Sequence, residues 1–198
     1  MPNHNAHARY QGVIFDLDNT LVSSSLNFKQ IRAEIGCTEH DDLLSYIEQL
    51  PEQQAKAAMD IVLNHEYQDA ESAILMPGVQ ACLAEFSKQN IKMAVVTRNC
   101  QHAAQLKLAK TALNFDLVLT RDDAPAKPDP TALLQVVKQW QLMPKDCIYV
   151  GDFLFDIQAA QNADMDSCLY IIDARPDYAD TATHNIEHFS QLTKLVLP

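Results

Sequence analysis

Two aspartates that follow an apolar run are the residues of this chain best suited to chemistry. The run Gly12 to Phe15 leads into Asp16 and Asp18, with one residue between the two carboxylates. Two anions at the end of a buried strand repel each other and lose hydration, so a bound divalent cation is the arrangement that retains both most easily. The pair therefore indicates an active site, although a plain polar turn after the strand would give the same spacing.

Three further segments carry polar residues that a single polar turn after the first strand does not explain. Thr97 follows Ile91 to Val96, Lys127 opens Lys-Pro-Asp-Pro, and Asp152 follows Gly151, with Asp156 four residues later. Together with Asp16-x-Asp18-x-Thr20, these segments resemble the four motifs of the haloacid dehalogenase superfamily of phosphatases. Met76-Pro77-Gly78-Val79 resembles a segment of its phosphoglycolate-phosphatase-like members.

The resemblance implies a phosphoric monoester hydrolase that acts on a small phosphorylated metabolite. Asp16 would be the nucleophile that forms an aspartyl-phosphate, and Asp18 would protonate the leaving oxygen and then activate water. Mg²⁺ would be held by the Asp16 carboxylate, the Asp18 carbonyl and Asp152. Lys127 would neutralise the phosphate, since Pro128 favours an extended conformation that aims its ammonium at the site.

Five further residues are candidates around this site. Thr97, Arg98 and Asn99 lie where a helix begins, so a hydroxyl and backbone N–H groups can bind a phosphoryl oxygen. Asn99 as a simple helix N-cap and Arg98 as a surface charge are the alternatives. Thr20 is interpreted as support for the motif loop, or as a hydroxyl near Asp16. Asp156 is interpreted as a partner that orients the metal ligands, or as a favourable charge in the first turn of a helix.

The elements that must position these residues alternate along the chain. Strand patterns occur near residues 12–16, 91–96, 116–119, 147–150 and 168–172, and helical patterns near 78–89, 99–112, 130–141 and 154–163. Such alternation predicts an α/β fold, a three-layer Rossmann-like parallel sheet with helices on both faces. Ligands of such sheets bind beyond the carboxyl ends of the strands, where the candidate aspartates lie.

Residues 26–76 interrupt the alternation with helical patterns at 28–35, 41–50 and 52–73. We interpret this segment as a small helical cap on a hydrolase core formed by residues 1–25 and 77–198. Lys29 and Arg32 are three apart on one face of the first cap helix. Arg32 is thus a candidate contact for the non-reacting end of the substrate, and a solvated face of an amphipathic helix is the alternative.

Composition limits the partners. The chain has 198 residues, 15 basic against 26 acidic, with a net charge of -11 and no Lys/Arg cluster, so a nucleic acid polymer is not expected as a ligand. No apolar run approaches the length that spans a membrane. Five cysteines without a C-x-x-C pair fit a reducing compartment, and we predict a cytoplasmic protein.

Three other functions stay open on these residues. A phosphomutase would use the same core and pass the phosphoryl group to a sugar. A catalytically silent binding module would keep the fold without the activity. The presence of all four motif residues, Asp16, Asp18, Lys127 and Asp152, argues against this alternative. A dehalogenase also uses an aspartate nucleophile, but it needs neither the metal nor a carboxyl group at position 18.

Several local patterns are interpreted as structural. His184-Asn185-Ile186-Glu187-His188 matches a zinc peptidase pattern, but only ten residues follow it, so we interpret it as a solvated helix start. Arg121 to Asp123 is interpreted as an ordinary loop, and Asp129 as the N-cap of a helix that begins at Pro130. Residues 1–10 are expected to form a loose polar tail. Asn19 and Asp164 replace glycines that are frequent in the superfamily, and both residue types tolerate left-handed backbone.

Overall fold

The computed structural model describes residues 8–198. Most of the predicted N-terminal tail lies outside the described residues, but the prediction is wrong for its last part. Tyr10 is buried, and its hydroxyl donates to Asp166 Oδ2 at 2.5 Å. The backbone N–H of Arg9 donates to the carbonyl of Val196 at 2.9 Å. These two contacts hold this part of the chain against the end of the protein.

In the described part of the chain, six parallel strands form one sheet, in the order β3-β2-β1-β4-β5-β6. The strands are β1 (Gly12–Phe15), β2 (Lys92–Val96), β3 (Val118–Leu119), β4 (Cys147–Gly151), β5 (Asp166–Tyr170) and β6 (His184–Ile186). β1 and β4 are buried along their whole length, as expected for central strands covered on both faces. The predicted three-layer α/β fold is confirmed.

Within residues 8–198, eight α-helices accompany the sheet. They are α1 (Phe28–Ile35), α2 (Leu43–Glu48), α3 (Glu52–Ser72), α4 (Val79–Lys88), α5 (Gln101–Lys110), α6 (Thr131–Trp140), α7 (Leu154–Asn162) and α8 (Phe189–Val196). Apolar residues of α4, α5 and α8 pack with Val13 and Phe15 on one face of the sheet. Residues of α6 and α7 pack with Ile14 on the other face. Alternate residues of β1 thus join the two halves of the core.

Helices α1 to α3 lie between β1 and α4 and have an apolar cluster of their own, which includes Ile31, Leu43, Ile47 and Val62. The long helix α3 also packs against α5 of the sheet layer. The inserted helices therefore share a small core, and α3 connects that core to the rest of the protein.

Two local predictions differ from the structure, and a third agrees with it. His184–Ile186 forms edge strand β6 rather than a helix start, because Ile186 fills the core beside β5. Helix α6 begins at Thr131 with Pro130 as its N-cap, while Asp129 Oδ1 accepts from the Thr131 N–H at 2.8 Å. Asn19 and Asp164 do adopt left-handed backbone, with φ of 54° and 53°.

Among residues 8–198, no helix has both the length and the apolar character needed to cross a membrane.

Candidate active site

The candidate residues meet at the carboxyl edge of the three central strands. Asp16 follows β1, Thr97 follows β2, and Asp152 follows β4. Because β1 is paired with β2 on one side and β4 on the other, the three chain ends lie side by side. This is the edge at which ligands of doubly wound sheets bind.

Lys127 joins the first and last motifs. Its ammonium donates to Asp16 Oδ1 at 2.5 Å and to Asp156 Oδ1 at 2.7 Å. It also donates to the Tyr149 hydroxyl at 2.7 Å and to the Val96 carbonyl at 3.3 Å. Burial alone would lower the pKa of Lys127, but the carboxylates of Asp156 and Asp16 raise it above its ordinary value. The lysine is therefore a fixed cation beside the candidate nucleophile.

Three acidic residues at this edge could hold a metal ion. One carboxylate oxygen from each of Asp16, Asp152 and Asp156 lies within 4.8 Å of the others. Burial raises the pKa of Asp16 and of Asp152, and repulsion from the neighbouring carboxylates raises it further. A cation would offset that repulsion and keep both groups ionised.

Asp156 also accepts hydrogen bonds at both of its carboxylate oxygens. Its Oδ1 accepts from Lys127 and from the Tyr149 hydroxyl, and its Oδ2 accepts from the Phe153 N–H at 3.0 Å. Gly151 makes room for this carboxyl group, because a Cβ at that position would overlap it. Asp156 therefore holds Lys127 in place, and both of its carboxylate oxygens accept hydrogen bonds from the protein.

The segment after β2 is held by hydrogen bonds among its own residues and to Asp18. Thr97 Oγ1 accepts from the Asn99 N–H at 3.2 Å and from Asn99 Nδ2 at 3.0 Å. Asn99 Nδ2 also donates to Asp18 Oδ2 at 2.8 Å, and the N-cap of α5 is Cys100. The alternative of Asn99 as the N-cap is therefore wrong. Asn99 Oδ1 has no hydrogen-bond partner in the part of the chain that the structure describes.

Arg98 forms an ion pair with Asp42 of the inserted segment rather than with the aspartates that follow β1 and β4. Its Nη2 lies 2.6 Å from Asp42 Oδ2 at the start of α2, and its guanidinium carbon lies 4.7 Å from the centre of the Phe155 ring. The alternative of a plain surface charge is wrong, because Arg98 joins α2 to the sheet layer.

Asp18 has a partner that the sequence pattern did not single out. Lys107 of α5 donates to Asp18 Oδ1 at 2.5 Å and to Asp69 Oδ2 of α3 at 2.7 Å. Burial raises the pKa of Asp18, and Lys107 works against that rise. Thr20 lies in the same loop, fully buried, and its hydroxyl has no partner among residues 8–198. The alternative interpretation placed the Thr20 hydroxyl near Asp16, and this hydroxyl forms no hydrogen bond with Asp16.

Arg121 is also missing from the predicted site. Its guanidinium pairs with Glu66 of α3 through Nη1–Oε1 and through Nη2–Oε2, the latter at 3.0 Å. Its Nη1 also donates to the carbonyl of Arg98 at 2.7 Å. The interpretation of residues 121–123 as an ordinary loop is wrong for Arg121, which fixes α3 to the edge of the sheet.

A cavity of about 490 Å³ lies over these groups and is lined by both the sheet edge and the inserted helices. Its wall includes Asp16, Asp18, Lys127 and Asp152 from the sheet layer, and Leu26, Phe28, Ile31, Leu43 and Val62 from the insertion. Arg32 also lines it, whereas Lys29 is exposed. Arg32 Nη2 donates to the Asp41 carbonyl at 3.4 Å, and its Nε has no partner within residues 8–198.

Residues 13–170 match the haloacid dehalogenase-like hydrolase family. A haloacid dehalogenase-like hydrolase domain-containing protein of Arabidopsis thaliana is 30% identical over 177 residues, which cover 83% of this chain and 72% of the relative. A phosphoglycolate phosphatase of Pseudomonas savastanoi is 28% identical over 182 residues, which cover 76% of this chain and 65% of the relative.

The fold is shared with solved structures. That of CbbY from Rhodobacter sphaeroides in complex with phosphate has a TM-score of 0.71 and 17% identity, over 92% of this chain and 96% of that one. The match to the family spans more than half of the chain and includes the first and last aspartate motifs. The resemblance and the prediction of a phosphatase-like hydrolase are confirmed, and the chain belongs to the family of haloacid dehalogenase-like hydrolases.

Proposed function

We propose that the protein is a Mg²⁺-dependent phosphatase that hydrolyses a small phosphorylated metabolite through an aspartyl-phosphate on Asp16. The observation that carries this proposal is the Asp16–Lys127 contact of 2.5 Å at the base of the cavity. A carboxylate next to a fixed cation offers a nucleophile and a charge for the phosphoryl oxygens at one place. The phosphoglycolate phosphatase relative and the phosphate held by the structural relative support the same chemistry.

The reaction has two steps. An Asp16 oxygen attacks phosphorus as the bond from phosphorus to the ester oxygen breaks, and the Asp18 carboxyl group gives its proton to that oxygen. The resulting Asp18 carboxylate then takes a proton from water as the water oxygen attacks the aspartyl-phosphate. This releases inorganic phosphate and restores both aspartates. Lys127 neutralises phosphoryl oxygens in both steps.

The donor set fits Mg²⁺, which prefers carboxylate and carbonyl oxygens. Asp16 and Asp152 would hold it with the backbone carbonyl of Asp18, while Asp156 keeps its oxygens on Lys127, Tyr149 and the Phe153 N–H. When bound, Mg²⁺ supplies positive charge that neutralises the transferring phosphoryl group.

The insertion supplies the other wall of the cavity. We propose that residues 26–76 act as a cap on a core of residues 1–25 and 77–198, since α1 to α3 have an apolar cluster of their own. Arg32 lines the cavity, and no acidic side chain of the described residues forms an ion pair with it. It is available for an anionic group at the non-reacting end of the substrate. The five buried, free cysteines support a cytoplasmic location.

The test is hydrolysis of p-nitrophenyl phosphate with Mg²⁺ and with EDTA, followed by a screen of phosphorylated metabolites. Acid quenching of the reaction and mass spectrometry should find a phosphoryl group on Asp16, and Asp16→Asn should remove both the adduct and the activity. Full activity in EDTA would contradict the metal requirement. Phosphorylation at another residue would contradict the role of Asp16, and transfer between sugar positions instead of release of phosphate would indicate a mutase.

A further inference from the structure

Lys107 is a fully buried lysine, with 0% of its side chain exposed, on the inner face of α5. An ammonium group is strongly hydrated, and its burial is unfavourable unless acceptors replace the water. Two carboxylates replace it here, Asp18 at 2.5 Å and Asp69 at 2.7 Å. These acceptors come from the loop after β1 and from α3, so the lysine lies between that loop and the inserted helices.

The contacts of Asp18 restrict its carboxyl group at both oxygens. Oδ1 accepts from Lys107, and Oδ2 accepts from Asn99 Nδ2 at 2.8 Å. Both donors belong to the segment from the end of β2 through α5. A carboxyl group that is bonded at both oxygens cannot rotate freely, and a proton donor needs a fixed position relative to the oxygen it serves.

Asp69 fixes the other side of Lys107. Its Oδ1 accepts from the Ser25 N–H at 2.6 Å and from the Ser25 hydroxyl at 2.9 Å, and its Oδ2 accepts from the Ser24 hydroxyl at 2.8 Å. Because these donors hold the carboxylate, Lys107 is bound to a rigid partner rather than to a mobile surface group.

We propose that Lys107 is a positioning residue, which holds the Asp18 carboxyl group where it exchanges a proton with the leaving-group oxygen. The proposal rests on the proposed function, since it assigns Asp18 to proton transfer. A purely structural role, the docking of α3 on α5, would use the same contacts. The two roles differ in how their loss depends on the leaving group of the substrate.

The experiment compares two esters of nearly equal size, phenyl phosphate and p-nitrophenyl phosphate. Nitrophenolate leaves readily without a proton, whereas phenolate depends more on an acid. The value of kcat/KM reports the first phosphoryl transfer, in which the leaving group departs. Lys107→Met should therefore lower kcat/KM about tenfold more for phenyl phosphate than for p-nitrophenyl phosphate. Lys110→Met, at the exposed end of the same helix, is the matched control.

A second pair of variants guards against misfolding. Lys107→Met leaves the buried Asp69 and the partly buried Asp18 without their cation. The double variant Lys107→Met with Asp69→Asn removes one charge of each sign, and Asp69→Asn alone is its reference. The same discrimination between the two esters is expected in the double variant relative to Asp69→Asn. An equal loss on both esters, no loss, or a gain in kcat/KM would overturn the proposal. If the wild-type protein hydrolysed neither ester, the proposed function itself would be wrong.

Discussion

Replacement of Lys127 by methionine should weaken both the fold and the reaction. Methionine keeps most of the volume and removes the ammonium group that lies between Asp16 at 2.5 Å and Asp156 at 2.7 Å. The lysine side chain is 5% exposed, so little water can replace the lost charge. Breaking a buried ion pair from one side lowers the free energy of unfolding by about 3–5 kcal/mol. With an m value of about 3 kcal/mol/M, the urea midpoint should fall by about 1–2 M.

The loss should depend on pH in a definite direction. Without Lys127, the folded-state pKa of Asp16 rises further, because the cation that lowers it is gone. A carboxyl group with a raised folded-state pKa contributes stability at low pH and loses that contribution as the pH rises through the folded-state value. The deficit of Lys127→Met relative to wild type should therefore be smaller at about pH 5 than at about pH 8 when both proteins are measured in EDTA.

Urea unfolding and steady-state kinetics test this reasoning together. The loss of one positioned charge at the transition state should lower kcat by about 100-fold or more. Lys138→Met, an exposed lysine on α6, is the control and should change neither quantity. A Lys127→Met midpoint equal to that of Lys138→Met would refute the argument from the buried ion pair. An unchanged kcat would refute the placement of Lys127 at the site of phosphoryl transfer.

Three further outcomes are expected. Burial and the neighbouring carboxylates raise the pKa of Asp152 to about 8 in the folded state, so wild type in EDTA should lose stability from this group between about pH 4 and pH 8. Asp152→Asn should lack that loss in thermal unfolding, and identical pH profiles would contradict the assignment. Arg32→Ala should raise KM for an anionic metabolite several-fold and leave p-nitrophenyl phosphate hydrolysis nearly unchanged, whereas the exposed Lys29→Ala should change neither; equal effects on both substrates would indicate disturbed folding of the insertion. Glu66→Gln should lower the free energy of unfolding by about 3 kcal/mol, measured in urea, because Arg121 stays buried without a charged partner. The exposed Glu71→Gln on the same helix should not, and equal midpoints would show that the Glu66 pair adds no stability.

The sequence predicts best those helices and strands that bury a regular set of apolar side chains in the core. The apolar run at β1 and the buried apolar residues Val79, Cys82 and Phe86 of α4 give clear signals, because burial decides them. β6 was missed, since it has only three residues and only Ile186 of them is buried. A strand at the edge of a sheet carries too few buried side chains for a periodic pattern.

The motif residues stand out in the sequence, but Lys107, the ion-pair partner of Asp18, does not. Lys107 stands in a helix between Leu106 and Leu108, where a lysine is usually a solvated charge. Its carboxylate partners are 89 and 38 residues away in the chain, and no local pattern reports contacts at such distances. The same holds for Arg121 and Glu66, which are 55 residues apart. Only the folded chain shows that these charges are buried and paired.

The attachment of α3 through Glu66–Arg121 and Asp69–Lys107 has a consequence for how such sequences diverge. A substitution that removes one member of a buried pair leaves its partner as an isolated charge, whereas the exchange of both for apolar residues can be nearly neutral. Change at these positions should therefore proceed in pairs. Among homologous sequences we expect Glu66 to vary together with Arg121, whereas Lys107 should change less readily because it also binds Asp18. The docking of α3 should therefore be visible in an alignment of homologous sequences as coupled substitution at positions 66 and 121.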